Sequence, residues 1–385
     1  MELNKYCLGD LITQRREKNP GGNLPIRGVT KEGLKPPKQI DADTSIYNLY
    51  YRNDFVYNPA RMELGSIAFN DEYDKAICSS LYEVFYVHRT DLVIPEYLAL
   101  FVKHPEFARY CNYLGNGSAR EYCRFDSISR ISISLPPISE QRKIVHDYQV
   151  ITGRIELMRK MNENLEEQVS LHFENTFGHF IPDGLNVSET IPDGWTVATV
   201  GDFCKTNSAT FSGEDNVLLY LDTGSITNNY ISGLQVLNTD IDEIPSRARR
   251  KVSNGDIVYS TVRPNLRHYG IIFNPPANMI VSTGFAVMSM LKNAPICSEI
   301  IYLWLTRDSV VNVLHSIAEN SVSTYPSIVS ADLEQIKMVV PTENECINTG
   351  AYYKSVFQTI DCNNREISKL EKLAVLLTNK LAKGA

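Results

Sequence analysis

The most regular polar and apolar pattern in the chain begins after Pro137, where ISEQRKIVHDYQVITGRIELMRKMNENLEEQVSLHFENTFG runs for more than 40 residues without a proline. Alternating steps of four and three pick out Ile144, Tyr148, Ile151, Ile155, Met158, Asn162, Leu165, Val169 and His172. A 3.5-residue repeat marks a helix that lays a narrow stripe against another helix, whereas a helix resting on a globular domain shows a wider apolar face. Ser139 reads as the N-cap, and Arg142, Glu156 and Glu166 fall off the stripe. Adding 205 to each position gives Thr349, Tyr353, Val356, Ile360, Asn363, Ile367, Leu370, Ala374 and Leu377, so a second helix repeats the first heptad for heptad. Each helix is the natural partner of the other. Paired antiparallel, they relate the two halves by a pseudo-twofold axis along a rod of roughly 60 Å. Asn162 and Asn363 then set the register at some cost in stability.

The stretches ahead of the two helices read differently. Short β-branched and aromatic runs, such as Leu81 to Val87 and Ile257 to Val262, are broken by Gly, Asn and Pro, the pattern of strands and turns. Each stretch holds one predicted helix, Pro95 to Leu114 and Pro295 to Leu314, with apolar residues at helical spacing and proline at its start. These stretches repeat as well. Leu8-Gly9-Asp10 recurs as Val200-Gly201-Asp202, and Asn53-Asp54-Phe55-Val56-Tyr57 as Gly255-Asp256-Ile257-Val258-Tyr259. An arginine follows four residues after each tyrosine, Arg61 and Arg263, and Phe69-Asn70 is matched by Phe273-Asn274. Tyr97-Leu98, Ile131 and Leu135-Pro136 meet Tyr302-Leu303, Ile336 and Val340-Pro341 at a constant offset of 205. So long a period means a duplicated domain pair rather than a solenoid. The expected fold is therefore α/β (α+β): mixed domains at 1–137 and 181–341, helices at 138–180 and 342–385, in a pseudo-twofold repeat on an antiparallel coiled coil.

Size and charge narrow the function. A chain of 385 residues with 43% hydrophobic and 22% charged side chains has the material for two or three domains and is not broadly disordered. Its formal charge of −7 excludes a protein that coats nucleic acid by charge alone. The eight cysteines form no C-x-x-C pair, the N-terminus shows no signal pattern, and no apolar run reaches membrane-spanning length, so a cytoplasmic protein with reduced thiols and no membrane is expected. Two similar but non-identical domains at a fixed separation make a ruler, the arrangement with which two-fold DNA readers address two half-sites.

Three tracts carry a family resemblance. Leu135-Pro136-Pro137-Ile138-Ser139-Glu140-Gln141-Arg142-Lys143-Ile144-Val145 resembles the L-P-P-[LI]-x-E-Q-x-x-I-[VA] stretch that opens the central conserved region of type I restriction-modification specificity subunits. Ile191-Pro192-Asp193-Gly194-Trp195 looks like that family's I-P-x-G-W start of a target recognition domain. The run from Gly255 to Arg263 is similar to its G-D-[IV]-L-x-S segment. The resemblance covers the whole chain in order, with two departures: the second junction reads Val340-Pro341-Thr342-Glu343-Asn344-Glu345, without the Glu-Gln pair, and the first domain lacks its own I-P-x-G-W. It implies two target recognition domains that bind double-stranded DNA, with helix ends docking methyltransferase subunits, two in number, and further restriction/translocase subunits. S-adenosylmethionine and ATP are expected in those partners, with no cofactor and no metal in this chain.

Arginine is the commonest reader of guanine, Asn and Gln suit adenine, and phosphates need only cationic or small polar groups in loops. In the second domain Arg247, Arg249, Arg250 and Lys251 put four cations in five positions, against a background of ten basic and sixteen acidic residues between 182 and 341. Arg263, Asn265 and Arg267 form a second cluster, and Ser323 and Tyr325 belong to a loop matching Ser118, Arg120 and Arg124 in the first domain. Arg61, Arg15 and Arg16 complete the DNA-binding candidates. The coiled-coil candidates are Ile144, Tyr148, Ile151, Ile155, Asn162 and Leu165 with Tyr353, Val356, Ile360, Asn363, Ile367 and Leu370.

Catalytic signatures are missing. Asn274-Pro275-Pro276-Ala277 is similar to the tetrapeptide with which amino-methyltransferases hold a flipped adenine, but alanine cannot stack on the base and no glycine-rich cofactor loop accompanies it. A non-catalytic specificity subunit is therefore expected. The alternatives are the specificity subunit of a type IIB-like enzyme and, less favoured, a DNA adenine methyltransferase.

Overall fold

The computed structural model describes residues 3–40, 43–115, 122–180, 182–183, 186–187, 191–213, 215–321 and 325–382. The chain forms two compact units: Met1–Leu157 with Ile367–Ala385, and Met158–Glu366. Both boundaries fall inside a long helix, one spanning Ile138–Phe177 and the other Glu343–Ala382, each of 40 residues and offset by 205 at both ends.

In the first unit strand Asn4–Cys7 pairs antiparallel with Ser132–Leu135, so the mixed domain is closed by its own two ends. A four-stranded antiparallel sheet follows the order Ile12–Arg15, Glu83–Val87, Phe55–Tyr57, Ile67–Phe69. Side chains alternate between its faces as strand geometry requires. Phe55, Tyr57 and Phe85 enter the core beneath the helices, while Val56, Ala68 and Val84 enter a smaller core on the other face. Onto that second face pack the strand pair Asn48–Tyr51 and Lys75–Cys78 and the hairpin Gly28–Thr30/Gly33–Lys35.

The second unit repeats these parts. Thr196–Thr199 pairs with Lys337–Val340, and the sheet order is Cys204–Thr206, Phe285–Met290, Asp256–Ser260, Tyr269–Ile272. Ile257 and Tyr259 face the helix-side core, and Val258 faces the other. A second sheet, ordered Gln235–Asn238, Val217–Leu221, Met279–Ser282, Ala248–Lys251, and a hairpin Ile226–Thr227/Tyr230–Ile231 cover that face. The strand register corrects one sequence match. Phe55 lies opposite Phe69, and Ile257 opposite Ile271, so the counterparts of Phe69-Asn70 are Ile271 and Ile272, two residues before Phe273-Asn274.

Each predicted single helix is two helices. The first breaks between Pro95–Val102 and Pro105–Gly115, because Pro105 has no N–H to continue the ladder and disfavours helical backbone before it. In the second unit the helices are Ser298–Thr306 and Asp308–Glu319, separated by Arg307 in an extended conformation (φ −57, ψ 141). There the break is held by a side chain: Arg307, 7% exposed, bonds both Glu174 carboxylate oxygens (3.0 and 3.1 Å) and the Phe180 carbonyl (3.1 Å) and lies 5.0 Å over the Trp304 ring. At the matching place in the first unit His104 bonds Asn379 (2.9 Å), and Asn379 is Glu174 plus 205.

The helix starts also differ from expectation. The central helix begins at Ile138, directly after Pro137, so Ser139 lies inside it. Gln141 is fully buried; its amide donates to Leu92 O (2.8 Å) and Pro136 O (2.9 Å), and its oxygen accepts from Ile94 N (3.0 Å). The counterpart, Cys346, keeps only the bond to the proline carbonyl, Sγ to Pro341 O at 3.6 Å. In the second helix Glu345 closes a cap on Thr342, bonding its N–H (3.0 Å) and hydroxyl (2.6 Å), and also accepts from Trp195 Nε1 (2.9 Å). Those bonds hold the Glu345 carboxyl below its usual pKa.

None of the twelve coiled-coil candidates is exposed: Ile155, Asn162, Tyr353, Val356, Ile360 and Ile367 are buried, and Ile144, Tyr148, Ile151, Leu165, Asn363 and Leu370 half-buried. Within the second unit Asn162 donates to Asn364 (2.8 Å) and accepts from Asn363 (2.7 Å), and His172 bonds the Tyr353 hydroxyl (2.9 Å). Ten residues forward on one helix are ten residues back on the other, so these helix segments run in opposite directions. The narrow stripe ends early. His172 is exposed, and Val169, Phe173 and Phe177 instead enter the domain core, both phenylalanines stacking edge-on against Trp304.

Candidate nucleic-acid interface

In the second unit backbone hydrogen bonds gather one set of candidates at an end of the sheet. Thr283 N donates to Arg247 O, Thr261 N to Gly284 O, Ile328 N to Thr261 O, and Arg263 N to Pro326 O, all at 2.8 to 2.9 Å. Arg247, Arg263, Asn265 and Tyr325 therefore lie on neighbouring segments, and all four side chains are exposed. Arg263 and Arg267 flank the turn Pro264–Leu266 with left-handed backbone, φ 49 and φ 57, a conformation that costs of order 1–3 kcal/mol in a non-glycine residue. Neighbours hold it: Arg267 pairs with Asp308 (2.7 Å), and the Arg263 guanidinium lies 5.3 Å over the Tyr325 ring. The apex of the turn presents Asn265 and Leu266 to solvent.

The rest of the four-cation run divides. Arg249 is exposed and bonds Ser246 O (3.2 Å), and Lys251 sits 5.9 Å from the Phe211 ring. Arg250 turns inward. It lies opposite Val281, a residue of the apolar core between the sheets, and one guanidinium nitrogen is buried without a partner. Burial pushes its pKa down. The expectation that all four are free for DNA thus fails at Arg250, because a bulge between Ala248 and Arg250 changes which residues of this strand face inward.

In the first unit Arg15 is withdrawn as well. Its guanidinium bonds both oxygens of Asp54 (2.6 and 3.1 Å) and Glu17 (2.6 Å), and it is stacked between Tyr51 (4.7 Å) and Tyr86 (4.5 Å) with 17% of the side chain exposed. It is a structural pair for the buried Asp54. Arg16 is exposed beside Gln14, and Arg124 is exposed with its guanidinium 5.3 Å over Tyr122. Arg61 is exposed on the turn Pro59–Leu64, which Gly65 closes at φ 70. It lines a cleft of about 1260 Å³ whose other charged residues are Lys31, Lys103 and Arg109 against Glu32, Glu63, Asp71 and Glu72. Ser118, Arg120 and Ser323 lie outside the described residues.

Two hairpins lie beyond the sequence-predicted candidates. Asn228 and Asn229 both have left-handed backbone (φ 44 and 65), the conformation that the two central residues of a type I′ hairpin turn require, between the paired Thr227 and Tyr230. Asn229 is taken up internally, accepting from Ile271 N (2.7 Å), and Asn228 N donates to Arg267 O (3.0 Å). Gly270 makes this docking possible: a Cβ there would lie 2.7 Å from Ile226 Cδ1. Among the described residues no group of three or more His, Cys, Asp or Glu could hold a metal ion, and no helix is long and apolar enough to cross a membrane. The tetrapeptide 274–277 is a turn into strand Met279–Ser282, closed by Met279 N to Pro276 O (2.9 Å).

Residues 7–167 match the family described as type I restriction modification DNA specificity domain. The chain is 25% identical over 185 residues to the type I restriction enzyme HindI specificity subunit of Haemophilus influenzae, a match that takes in 48% of this chain and 39% of that protein. Its fold is similar to the type I restriction-modification S subunit from M. genitalium, with a TM-score of 0.60 over 99% of this chain and 96% of the other at 14% identity. The HsdS subunit from Thermoanaerobacter tengcongensis aligns over 98% and 96% at 16% identity with a TM-score of 0.41.

Proposed function

We propose that the chain is a member of the type I restriction-modification specificity-subunit family, to which it is similar, and a non-catalytic DNA-reading subunit whose two mixed domains each address one half of a split duplex target. One observation carries this reading: both units contain the same sheet order, the same end-strand closure and a hairpin on the same face, while the exposed polar residues at the sheet ends differ. A common scaffold with divergent tips suits two half-sites of different sequence.

Residues 1–137 and 181–341 are the two recognition domains, and 138–180 and 342–385 the helices that pair as an antiparallel coiled coil about a pseudo-twofold axis. The opposed hydrogen bonds of Asn162 and His172 and the equal helix lengths support that pairing. DNA binding falls to Arg16, Arg61 and Arg124 in the first domain and to Arg247, Arg249, Lys251, Arg263, Asn265 and Tyr325 in the second. Ser118, Arg120 and Ser323 join them on sequence grounds; Arg15 and Arg267 are engaged by carboxylates within the fold, and Arg250 is turned inward. With no polycationic segment, the chain relies on two methyltransferase subunits and on restriction/translocase subunits to complete a positive clamp in the cytoplasm. Methyl-donor and ATP chemistry belong to those partners.

Selection of the full-length chain, assembled with its methyltransferase partner, on a randomised duplex pool tests the reading. Two constrained blocks separated by an unconstrained spacer are expected. Deleting Asn162–Gln168 together with Asn363–Lys369, one heptad from each helix, shortens the spacer and leaves both blocks intact. A single contiguous block, or a spacer indifferent to the deletion, refutes it.

A further inference from the structure

The two hairpins share an anchor and differ at the tip. In the first unit Val29 is buried among Val56, Ala68 and Val84. In the second Ile226 is buried beside Val258 and Val287 and against Gly270. Strand register makes Val56 and Ala68 the counterparts of Val258 and Gly270, so both anchors occupy one site on the scaffold. The turn registers also agree: Thr30 pairs with Gly33, and Thr227 with Tyr230, which makes Lys31-Glu32 the counterpart of Asn228-Asn229. Lys31 and Asn228 are both exposed.

Each tip adjoins the arginine turn of its own unit. Lys31 and Arg61 line the same cleft, and Asn228 N bonds Arg267 O beside the Arg263–Asn265 turn. A two-stranded ribbon is one of the two elements that the major groove of duplex DNA admits, and Asn pairs bidentately with adenine, whereas Lys meets guanine or phosphate. We infer that these hairpins are the base-reading elements of the two domains, with Lys31 addressing a guanine in one half-site and Asn228 an adenine in the other. Neighbouring Arg61 and Arg263 hold the backbone of the same duplex segment. This assignment rests on the proposed DNA-reading function and says which residues read.

The test is duplex selection with the full-length chain assembled with its methyltransferase partner, as wild type and as two exposed-residue variants, Asn228→Ala and Lys31→Ala, followed by affinity for the selected duplex and its single-base changes. Asn228→Ala is expected to relax one adenine position in one block by roughly tenfold or more, leaving the other block untouched. Lys31→Ala is expected to relax one guanine position in the other block. Unchanged preferences in both variants, or a loss uniform across all sequences, overturn the inference while the two wild-type blocks leave the parent reading standing. A wild-type complex that selects no sequence overturns both.

Discussion

Replacing Gln141 by alanine should cost the first unit about 4 kcal/mol. The side chain is fully buried and serves three backbone groups, Ile94 N, Leu92 O and Pro136 O. Each buried group left unpaired costs about 1–3 kcal/mol, and the two carbonyls belong at the low end because each has a second lone pair to engage. Two further variants separate packing from hydrogen bonding. Gln141→Glu fills the same volume but aims a carboxylate at two carbonyl oxygens, and should cost at least as much. Gln141→Cys imitates Cys346, which keeps one bond to the equivalent proline carbonyl, and should cost about 3 kcal/mol, since Ile94 N and Leu92 O stay unpaired. Urea unfolding of the full chain reads the difference. The two tryptophans, Trp195 and Trp304, both lie in the second unit, so their fluorescence follows that unit while far-UV circular dichroism follows both. A lower midpoint in the dichroism with the fluorescence transition in place is the expected result. A loss under about 1 kcal/mol, or a neutral Gln141→Glu, refutes the reasoning.

Burial beside Glu163 pushes the Glu166 carboxyl up from 4.5 to about 7. A raised carboxyl favours the folded state when protonated, so this contribution is full below pH 4.5 and is lost as pH rises through 7. Glu166→Gln should therefore stabilise the second unit at pH 8 by about 1–3 kcal/mol and be nearly neutral at pH 4; an equal effect at both, by thermal unfolding, contradicts the burial argument. Arg307→Met should cost about 1–3 kcal/mol by unpairing the buried Phe180 carbonyl, Glu174 being half exposed and free to turn to water, and should shift Trp304 emission, with unchanged emission counting against the clamp. Replacing Arg247 and Arg263 by alanine should lower the slope of log affinity against log salt by about 0.9 for each phosphate no longer neutralised. An unaltered slope removes them from the interface.

The 205-residue offset was readable because it recurs unchanged between distant matches, and the structure reproduces it to the residue in Ser132–Leu135 against Lys337–Val340 and Phe125–Ser129 against Ser330–Glu334. What escaped was set by distant partners. No local signal marks Arg15 as the neutraliser of Asp54, 39 residues away, or Arg307 as the clamp on Glu174, 133 residues away. The departure of the second junction from the Glu-Gln pair is explained by Cys346, a smaller side chain that keeps one hydrogen bond where Gln141 makes three. The hairpin tips were readable in principle, since Asn-Asn between Thr and Tyr is a turn signal. Charge alone does not find them, because the exposed amide of Asn228 carries none.

Translation and folding run in different orders in this chain. The second unit is one unbroken span, Met158–Glu366, whereas the first needs Met1–Leu157 and also Ile367 onward. At about 5–20 residues per second, the amino-terminal domain waits on the ribosome for some tens of seconds before the helix segment that completes it emerges. The unit made second is therefore the first that can finish folding, and the half-built one must stay soluble until Asn379 arrives to meet His104.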